Sequence, residues 1–319
     1  MEPPKVEMDK PNVVISRCIN IEAVRYDGGI IRDAFAERLG KYVRYIPVCP
    51  EVEIGLGVPR ATLRIIKEAD GLHLVQPATG MDFTGEMNSF AERFLISLRD
   101  VDGFLLKSKS PSSGFSGVKI FQSVDKSSHI GVGKGLFALK VVEMFPHLPI
   151  EDEGRLHDPE IRNHFLTRLF TLHDFRVLKK RIGGMRDIVG FHTRYKLILM
   201  AYSQRKLNDM GRLIANHEHL PVDEVVERYQ VLLQDLFQRK ASHRSHINIL
   251  MHALGYFSEK LSRGEKRHFL DLLDKYGNKW IPLTVPLEVM RNYIYRFGNE
   301  YLAGQKYFNP YPEELLYQA

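Results

Sequence analysis

Asn12-Val13-Val14-Ile15-Ser16-Arg17-Cys18 and Val43-Arg44-Tyr45-Ile46-Pro47-Val48-Cys49-Pro50-Glu51 decide the reading of the first half of the chain. Each is a short apolar, β-rich run that opens directly into a cysteine. Asn12 to Ser16 predicts a buried strand and Val43 to Val48 a second, with a short amphipathic helix, Ile31 to Leu39, between them. The alternation continues. Leu72 to Gln76 predicts a third strand and Ser89 to Leu98 a helix. Gly103 to Lys107 predicts a fourth strand, opening into Ser108-Lys109-Ser110-Pro111, and Gly135 to Phe145 a last helix. Strands that alternate with helices point to an α/β domain around a mainly parallel sheet. In such sheets ligands sit beyond the carboxyl ends of the strands. Cys18, Cys49 and the loop Ser110 to Gly114 are therefore expected to converge on one crevice.

Working outward, Pro146 to Pro159 holds three prolines and an acidic cluster and reads as a linker. Beyond it the pattern is helical throughout. The expected helices are Ile161 to Arg181, Asp187 to Asp209, Val222 to Arg239, His243 to Leu261 and Gly264 to Tyr276. Thr284 reads as an N-cap ahead of Leu287 to Tyr301. In the fourth helix, Ile247, Leu250, Leu254, Phe257 and Leu261 make one apolar stripe. The expected organisation is a Rossmann-like layered α/β domain over residues 1–146, a linker over 147–160 and an all-α domain over 161–319.

The chain has 319 residues, 44% of them hydrophobic and 26% charged, which is ordinary for a globular protein with two cores. No apolar run approaches the roughly 18 residues a membrane span needs. Met1-Glu2-Pro3-Pro4-Lys5 shows neither a secretory nor a transit pattern, so a cytoplasmic protein without a membrane partner is expected. The net charge of +6 is uneven. Residues 161–319 carry 25 Lys and Arg against 16 acids, while 151–160 carry one Arg against five. A basic helical half fits a polyanionic partner, although charge alone fits a solvated basic surface equally well. Two cysteines in a cytosolic chain argue against a structural disulfide.

The specific motifs are Ser16-Arg17-Cys18-Ile19-Asn20, Arg25-Tyr26-Asp27-Gly28, the run from Cys49-Pro50-Glu51 through Pro59-Arg60, Asp82-Phe83-Thr84, and Leu106-Lys107-Ser108-Lys109-Ser110-Pro111-Ser112-Ser113-Gly114. In order and spacing they closely resemble the thiouracil desulfidase family, over about residues 11–145. Phe191-His192-Thr193-Arg194-Tyr195-Lys196, His246 to Phe257, and Gln305-Lys306-Tyr307-Phe308-Asn309-Pro310-Tyr311-Pro312 resemble the bacterial YbgA-like domain, over about residues 160–315. The fusion resembles the bacterial desulfidases that erase 4-thiouridine from transfer RNA, in which the helical domain helps to hold the RNA.

The resemblance implies a 4Fe–4S cluster held by three cysteine thiolates, with one iron left open as a soft acid for sulfur. Water would replace the sulfur on the ring carbon without net redox change. It further implies cluster ligands at Cys18 and Cys49, Glu51 as the carboxylate that handles protons, and Ser110 and Ser112 as hydrogen-bond partners of the base. Asp27 and Arg60 are weaker candidates, equally readable as structural ion-pair partners. The family pattern has a cysteine at the fourth place of the Ser-Pro-Ser loop, where this chain has Ser113. A serine alkoxide is a harder ligand whose proton leaves less readily than a thiol's. Three readings stay open here: an introduced replacement in a trapped variant, a natural variant whose site is completed otherwise, or an RNA-binding pseudoenzyme.

Other motifs carry less. Gly131-Val132-Gly133-Lys134-Gly135 has Gly after the lysine where a phosphate loop has Ser or Thr, and reads as a tight turn entering a helix. His243, His246 and His252 lack metal-site spacing; beside arginines they suit phosphate or base contacts better. Tyr293, Tyr295, Tyr301, Tyr307, Phe308 and Tyr311 serve either to stack on bases or to pack helices. Arg194, Lys196, Arg244, Arg263, Lys266 and Lys306 are the candidate phosphate contacts to a thiolated tRNA.

Overall fold

The protein is described by a computed structural model over residues 9–124 and 128–316. The reading of Met1 to Lys5 lies outside the described residues. The chain divides into one unit up to Leu169 and a second from Phe170 to Leu316.

In the first unit, β1 (Asn12–Ser16) is followed by α1 (Ala34–Leu39), β2 (Arg44–Val48) and the single turn α2 (Pro50–Glu53). Then come β3 (Arg64–Lys67), β4 (Leu72–Gln76), β5 (Met81–Asp82), α3 (Thr84–Ser97) and β6 (Val101–Leu106). The unit continues with β7 (Val118–Phe121), β8 (His129–Gly133), α4 (Leu136–Met144) and β9 (Ile150–Asp152). One sheet has the order β2-β1-β6-β9 with every pairing parallel. Val13, Val14 and Ile15 are fully buried in succession, the continuous apolar run of a strand covered on both faces. The chain leaves β1 to one side for β2 and returns on the other side as β6. The order therefore reverses at β1, which sets the ligand crevice of a doubly wound sheet at the carboxyl ends of these strands. Met87, Ala91 and Leu95 of α3 join Phe137, Ala138 and Val141 of α4 in one core with Val14, Phe104 and Leu106.

The fold class is α/β followed by all-helical, as the patterning predicts, and the first unit and its boundary differ from the expected organisation in detail. Leu72 to Gln76 is a strand, but it belongs to a second sheet, β5-β4-β3-β7-β8, antiparallel except between β3 and β7. The segment 147–160 is not a free linker. Ile150–Asp152 pairs in parallel with β6, and Asp152 and Glu153 are buried. The unit boundary lies inside α5 (Pro159–Arg181), not before it. Asp158 starts that helix by accepting from the backbone N–H groups of Glu160 and Ile161 at 2.9 and 3.0 Å, ahead of Pro159 in the first turn.

The second unit continues with α6 (Met185–Tyr202), α7 (Gln204–Ala215), α8 (Val222–Leu236), α9 (His243–Gly255), α10 (Arg263–Gly277), α11 (Thr284–Phe297) and α12 (Glu300–Ala303). Its core gathers Phe191, Tyr195, Tyr229, Phe237, Phe257, Phe269 and Met290. Leu250, Leu254, Phe257 and Leu261 are buried as the stripe predicts, although α9 ends at Gly255 and the last two pack from the following turns. The expected helix Asp187 to Asp209 is two helices. Ser203 breaks it in extended conformation and caps α7, its hydroxyl accepting from Lys206 N–H at 3.3 Å. Thr284 is the first residue of α11 and Leu283 its cap. No helix among the described residues is long and apolar enough to cross a membrane.

Candidate functional site

The carboxyl ends of β1, β2 and β6 open on a crevice of about 310 Å³. Its wall includes Cys18, Cys49, Glu51, Ser110, Ser112 and Ser113, so the residues expected at one crevice meet there. Cys49 directly follows β2 and precedes Pro50. Its carbonyl accepts from Val52 and Glu53 N–H at 3.0 and 3.1 Å, which makes it the cap of α2 and turns Glu51 back toward the strand ends. Cys18 follows β1 in a tight turn closed by Ile19 N–H to Ser16 carbonyl at 2.8 Å. Both thiols are free and buried. Burial, with Cys49 close by, pushes Cys18 up to about 12; burial also pushes Cys49 up, against the lowering effect of the Val52 N–H.

Glu51 is the most tightly held group of the crevice. Its Oε2 accepts from Arg60 Nε at 2.8 Å and pairs with Nη2 at 2.7 Å, the two side chains being nearly enclosed. Its Oε1 accepts from Ser112 Oγ at 2.7 Å and, at the long distance of 3.5 Å, from Ser110 Oγ. Arg60 is itself fixed by Nη1 donating to the carbonyl of Val24 at 3.0 Å. It is therefore the orienting partner of Glu51. Asp27 lies outside the crevice, exposed, capping its own turn through Gly29 N–H at 2.9 Å and pairing with Arg25 at 3.4 Å.

The serine loop is folded as a turn, Gly114 N–H to Ser110 carbonyl at 2.8 Å, and rests on the start of α4 through Ser112 carbonyl to Ala138 N–H at 3.2 Å. Two glycines permit this approach. A Cβ on Gly135 would lie 2.2 Å from the carbonyl oxygen of Ser112, and one on Gly114 2.6 Å from that of Ser110.

A further group escaped the sequence reading. Glu153, just past β9, is buried and accepts from Lys107 Nζ at 2.6 Å, Ser108 N–H at 2.7 Å and Ser108 Oγ at 2.8 Å. Lys107 N–H in turn donates to Ser16 Oγ at 2.8 Å. This network ties the end of β6 to β1 and β9 beneath the crevice. The Ile150-Glu151-Asp152-Glu153 run was its only signal, an apolar start to an acidic segment.

The donor set can be weighed against the implied cluster. The crevice offers two thiols and the hydroxyl of Ser113, which is buried and 3.5 Å from Ser112 Oγ. The whole chain holds two cysteines. The set does not fit a cluster held by three thiolates: the third corner presents a hard oxygen that keeps its proton.

The candidate RNA contacts lie in the second unit. Arg194, Lys196, Arg244 and Arg263 are exposed. Lys266 is half-buried, and Lys306 pairs with Asp174 at 3.2 Å. Tyr293, Tyr307, Phe308 and Tyr311 are buried packing groups, whereas Tyr295 stands 92% exposed. His246 is buried too, its Nδ1 2.8 Å from Tyr307 Oη, so it serves the core and not a phosphate.

Comparison with known proteins agrees with this division. The family described as 2-thiouracil desulfurase matches residues 13–153, and the family described as a protein of unknown function, DUF1722, matches residues 196–312. A curated relative, the "Uncharacterized protein YbgA" of Escherichia coli (strain K12), is 31% identical over 151 residues, covering 47% of this chain and 89% of its own length. A solved structure, the [4Fe-4S]-dependent thiouracil desulfidase TudS, is 29% identical, with 48% of this chain and 97% of that one covered and a TM-score of 0.38. The chain therefore joins an N-terminal 2-thiouracil desulfurase domain to a C-terminal DUF1722 domain, and it belongs to the YbgA-like family.

Proposed function

We propose that the crevice receives the thiolated base of 4-thiouridine in tRNA, and that the reaction of this lineage is hydrolytic removal of its sulfur to leave uridine. The observation that carries this reading is the convergence of Glu51, Ser110 and Ser112 with Cys18 and Cys49 at the carboxyl ends of three parallel strands. In the overall change water and the thiocarbonyl give a carbonyl and hydrogen sulfide, so nothing is oxidised or reduced. The cofactor in this reading is the 4Fe–4S cluster of the relative named above, which requires the thiolate that Ser113 lacks.

The chain's own groups divide the work of handling the base and its protons. Arg60 holds Glu51 by one oxygen, which keeps the carboxylate aimed in a nearly enclosed wall. Ser112 occupies one acceptor position of the other oxygen. Ser110, at 3.5 Å, leaves the second position weakly filled, and that is where a water or a ring N–H meets Glu51. Ser110, half-buried where Ser112 is fully buried, is the hydroxyl that reaches the base. A target base must leave its stack to enter. The basic second unit supplies phosphate contacts, which makes binding steeply salt-dependent.

Ser113 favours a second reading, in which the chain binds thiolated RNA without turning it over. One experiment separates the two. The chain and its Ser113→Cys form are reconstituted anaerobically with iron and sulfide, given tRNA containing 4-thiouridine, and followed by the absorbance of the thiolated base. Turnover by the Ser113→Cys form alone is expected, with a full cluster seen only there. Turnover by both shows that Ser113 or another group completes the ligand set. Turnover by neither ends the desulfidase reading and leaves RNA binding.

A further inference from the structure

The second unit contains a groove that desulfidation does not use. Helices α6 and α7, broken at Ser203, border about 690 Å³ lined by His192, Lys196, Met200, Gln204, Asn208 and Arg212. The spacing of four along each helix puts these side chains on facing stripes. His192 is 8% exposed, and its Nδ1 lies 3.1 Å from Tyr229 Oη. Tyr229 is fully buried and burial raises its phenol, which keeps its proton. That O–H has no other acceptor among the described residues, and a buried donor left without one is expensive. It therefore donates to Nδ1, so the imidazole proton sits on Nε2. Burial, then the charge of Lys196, push His192 down to about 4, so the ring is neutral at pH 7.

Nε2–H thus remains a donor with no partner among the described residues, and it looks toward α7 at Gly211. A Cβ there would lie 4.0 Å from Nε2. Glycine inside a helix is less stable than alanine, since it loses more backbone freedom on folding. No positive φ and no close backbone contact calls for it at this position. Its effect is to leave the imidazole donor uncovered. Lys196 is exposed and has no ion-pair partner among the described residues, Arg212 adds a guanidinium beside its pair with Asp209, and no carboxylate is among the described residues lining the groove.

We propose that the α6–α7 groove is a phosphate-binding site in which His192 Nε2–H, Lys196 and Arg212 converge on one phosphate group, carried either by the RNA backbone or by a phosphorylated small molecule. The RNA source rests on the reading of the second unit as the part that holds tRNA. Neutral imidazole, ammonium and guanidinium together offer donors only, and phosphate oxygens offer acceptors only.

The test uses the full chain, with tRNA affinity measured by fluorescence anisotropy over a KCl series and the His192 imidazole followed by NMR. Lys196→Ala is expected to weaken tRNA binding several-fold and to lower the salt slope by about 1. His192→Asn keeps an acceptor for Tyr229 but removes the donor into the groove, and weakens binding. Gly211→Leu covers Nε2 without changing any charge and also weakens binding. Unchanged affinity and slope in Lys196→Ala, His192→Asn and Gly211→Leu overturn the RNA source while leaving RNA binding by the rest of the unit intact. A His192 shift with inorganic phosphate or uridine monophosphate, but none with tRNA, assigns the groove to a small molecule. No shift with any of the three overturns the site. A chain that binds no tRNA at low salt ends the RNA reading on its own, and the inorganic phosphate titration then decides the groove.

Discussion

The crevice of the first unit and the α6–α7 groove of the second each hold a buried ionisable residue, and they treat it in opposite ways. Glu51 is engaged at both oxygens, by Arg60 on one and by Ser112 on the other. His192 is engaged at one ring nitrogen and open at the other. A charge that must be aimed before reaction is fixed by its own protein, because reorganising it during the reaction would add to the barrier. A donor meant for a ligand is left short of a partner until the ligand arrives. The comparison makes Glu51–Arg60 a stabilising pair and His192 a recognition group, and each half can be broken separately.

The largest effect is expected at the pair. Arg60→Met leaves the Glu51 carboxylate buried without its countercharge, and breaking a buried pair in this way costs about 3–5 kcal/mol. Urea denaturation of the full chain measures it. The double form Arg60→Met with Glu51→Gln should recover much of the loss, because no buried charge is left over. A loss within 0.5 kcal/mol or so of zero for Arg60→Met, the range of an ordinary surface change, would show that water reaches the carboxylate and that it is not preorganised.

Two glycines sharpen the contrast. In the crevice, Gly135→Ala drives a Cβ to 2.2 Å from the backbone oxygen of Ser112, so the serine loop or the start of α4 must shift. Overpacking of this kind destabilises by about 1–3 kcal/mol or more. It also moves Ser112 off Glu51, so the Ser113→Cys form should lose turnover along with stability. In the groove, Gly211→Ala places its Cβ 4.0 Å from His192 Nε2, an ordinary contact, and should stabilise α7 by about 0.5–1 kcal/mol. Thermal melts of the two single variants should thus move in opposite directions.

The same contrast explains what was legible in the sequence. Cys18 and Cys49 were readable because each directly follows a short β-rich run, and strand ends in a parallel sheet are where ligands gather. Arg64–Lys67 and Val118–Phe121 were not, since each has four residues, the first with only two apolar residues between charged ends and the second interrupted by Lys119. Ile150–Asp152 was hidden by its acids, and Glu153 by distance: its partner Lys107 lies 46 positions away, so nothing local announces the pair. Ser203 was missed for another reason. A helical pattern running through it is compatible with one helix or two, and only the cap it gives Lys206 settles the matter. The groove followed from that break, since it creates the α6–α7 pair.

Histidine environments supply the smallest effects, of opposite sign at the two ends of the pH scale. His192 and His246 are buried beside phenols and are pushed down to about 4, chiefly by burial. In the unfolded chain they titrate near 6.5, so below that pH the unfolded state binds more protons and stability falls as pH drops from about 6.5 toward 4. His73 is the reverse case. Its ring nitrogens donate to Asp82 at 2.7 Å and to Asp70 at 3.0 Å, and these hydrogen bonds push it up to about 9. Its contribution is complete below 6.5 and is lost as pH rises through about 9. Because this triad is solvent-exposed, salt screens it and the alkaline loss should shrink in 0.5 M NaCl, whereas the acid loss, set by burial, should persist. Melting temperatures across pH 4–10 at two salt concentrations separate the two limbs. His73→Gln should flatten only the alkaline limb, and His192→Gln should reduce only the acid one. An alkaline limb insensitive to salt would mean that His73 is held by something other than its two carboxylates.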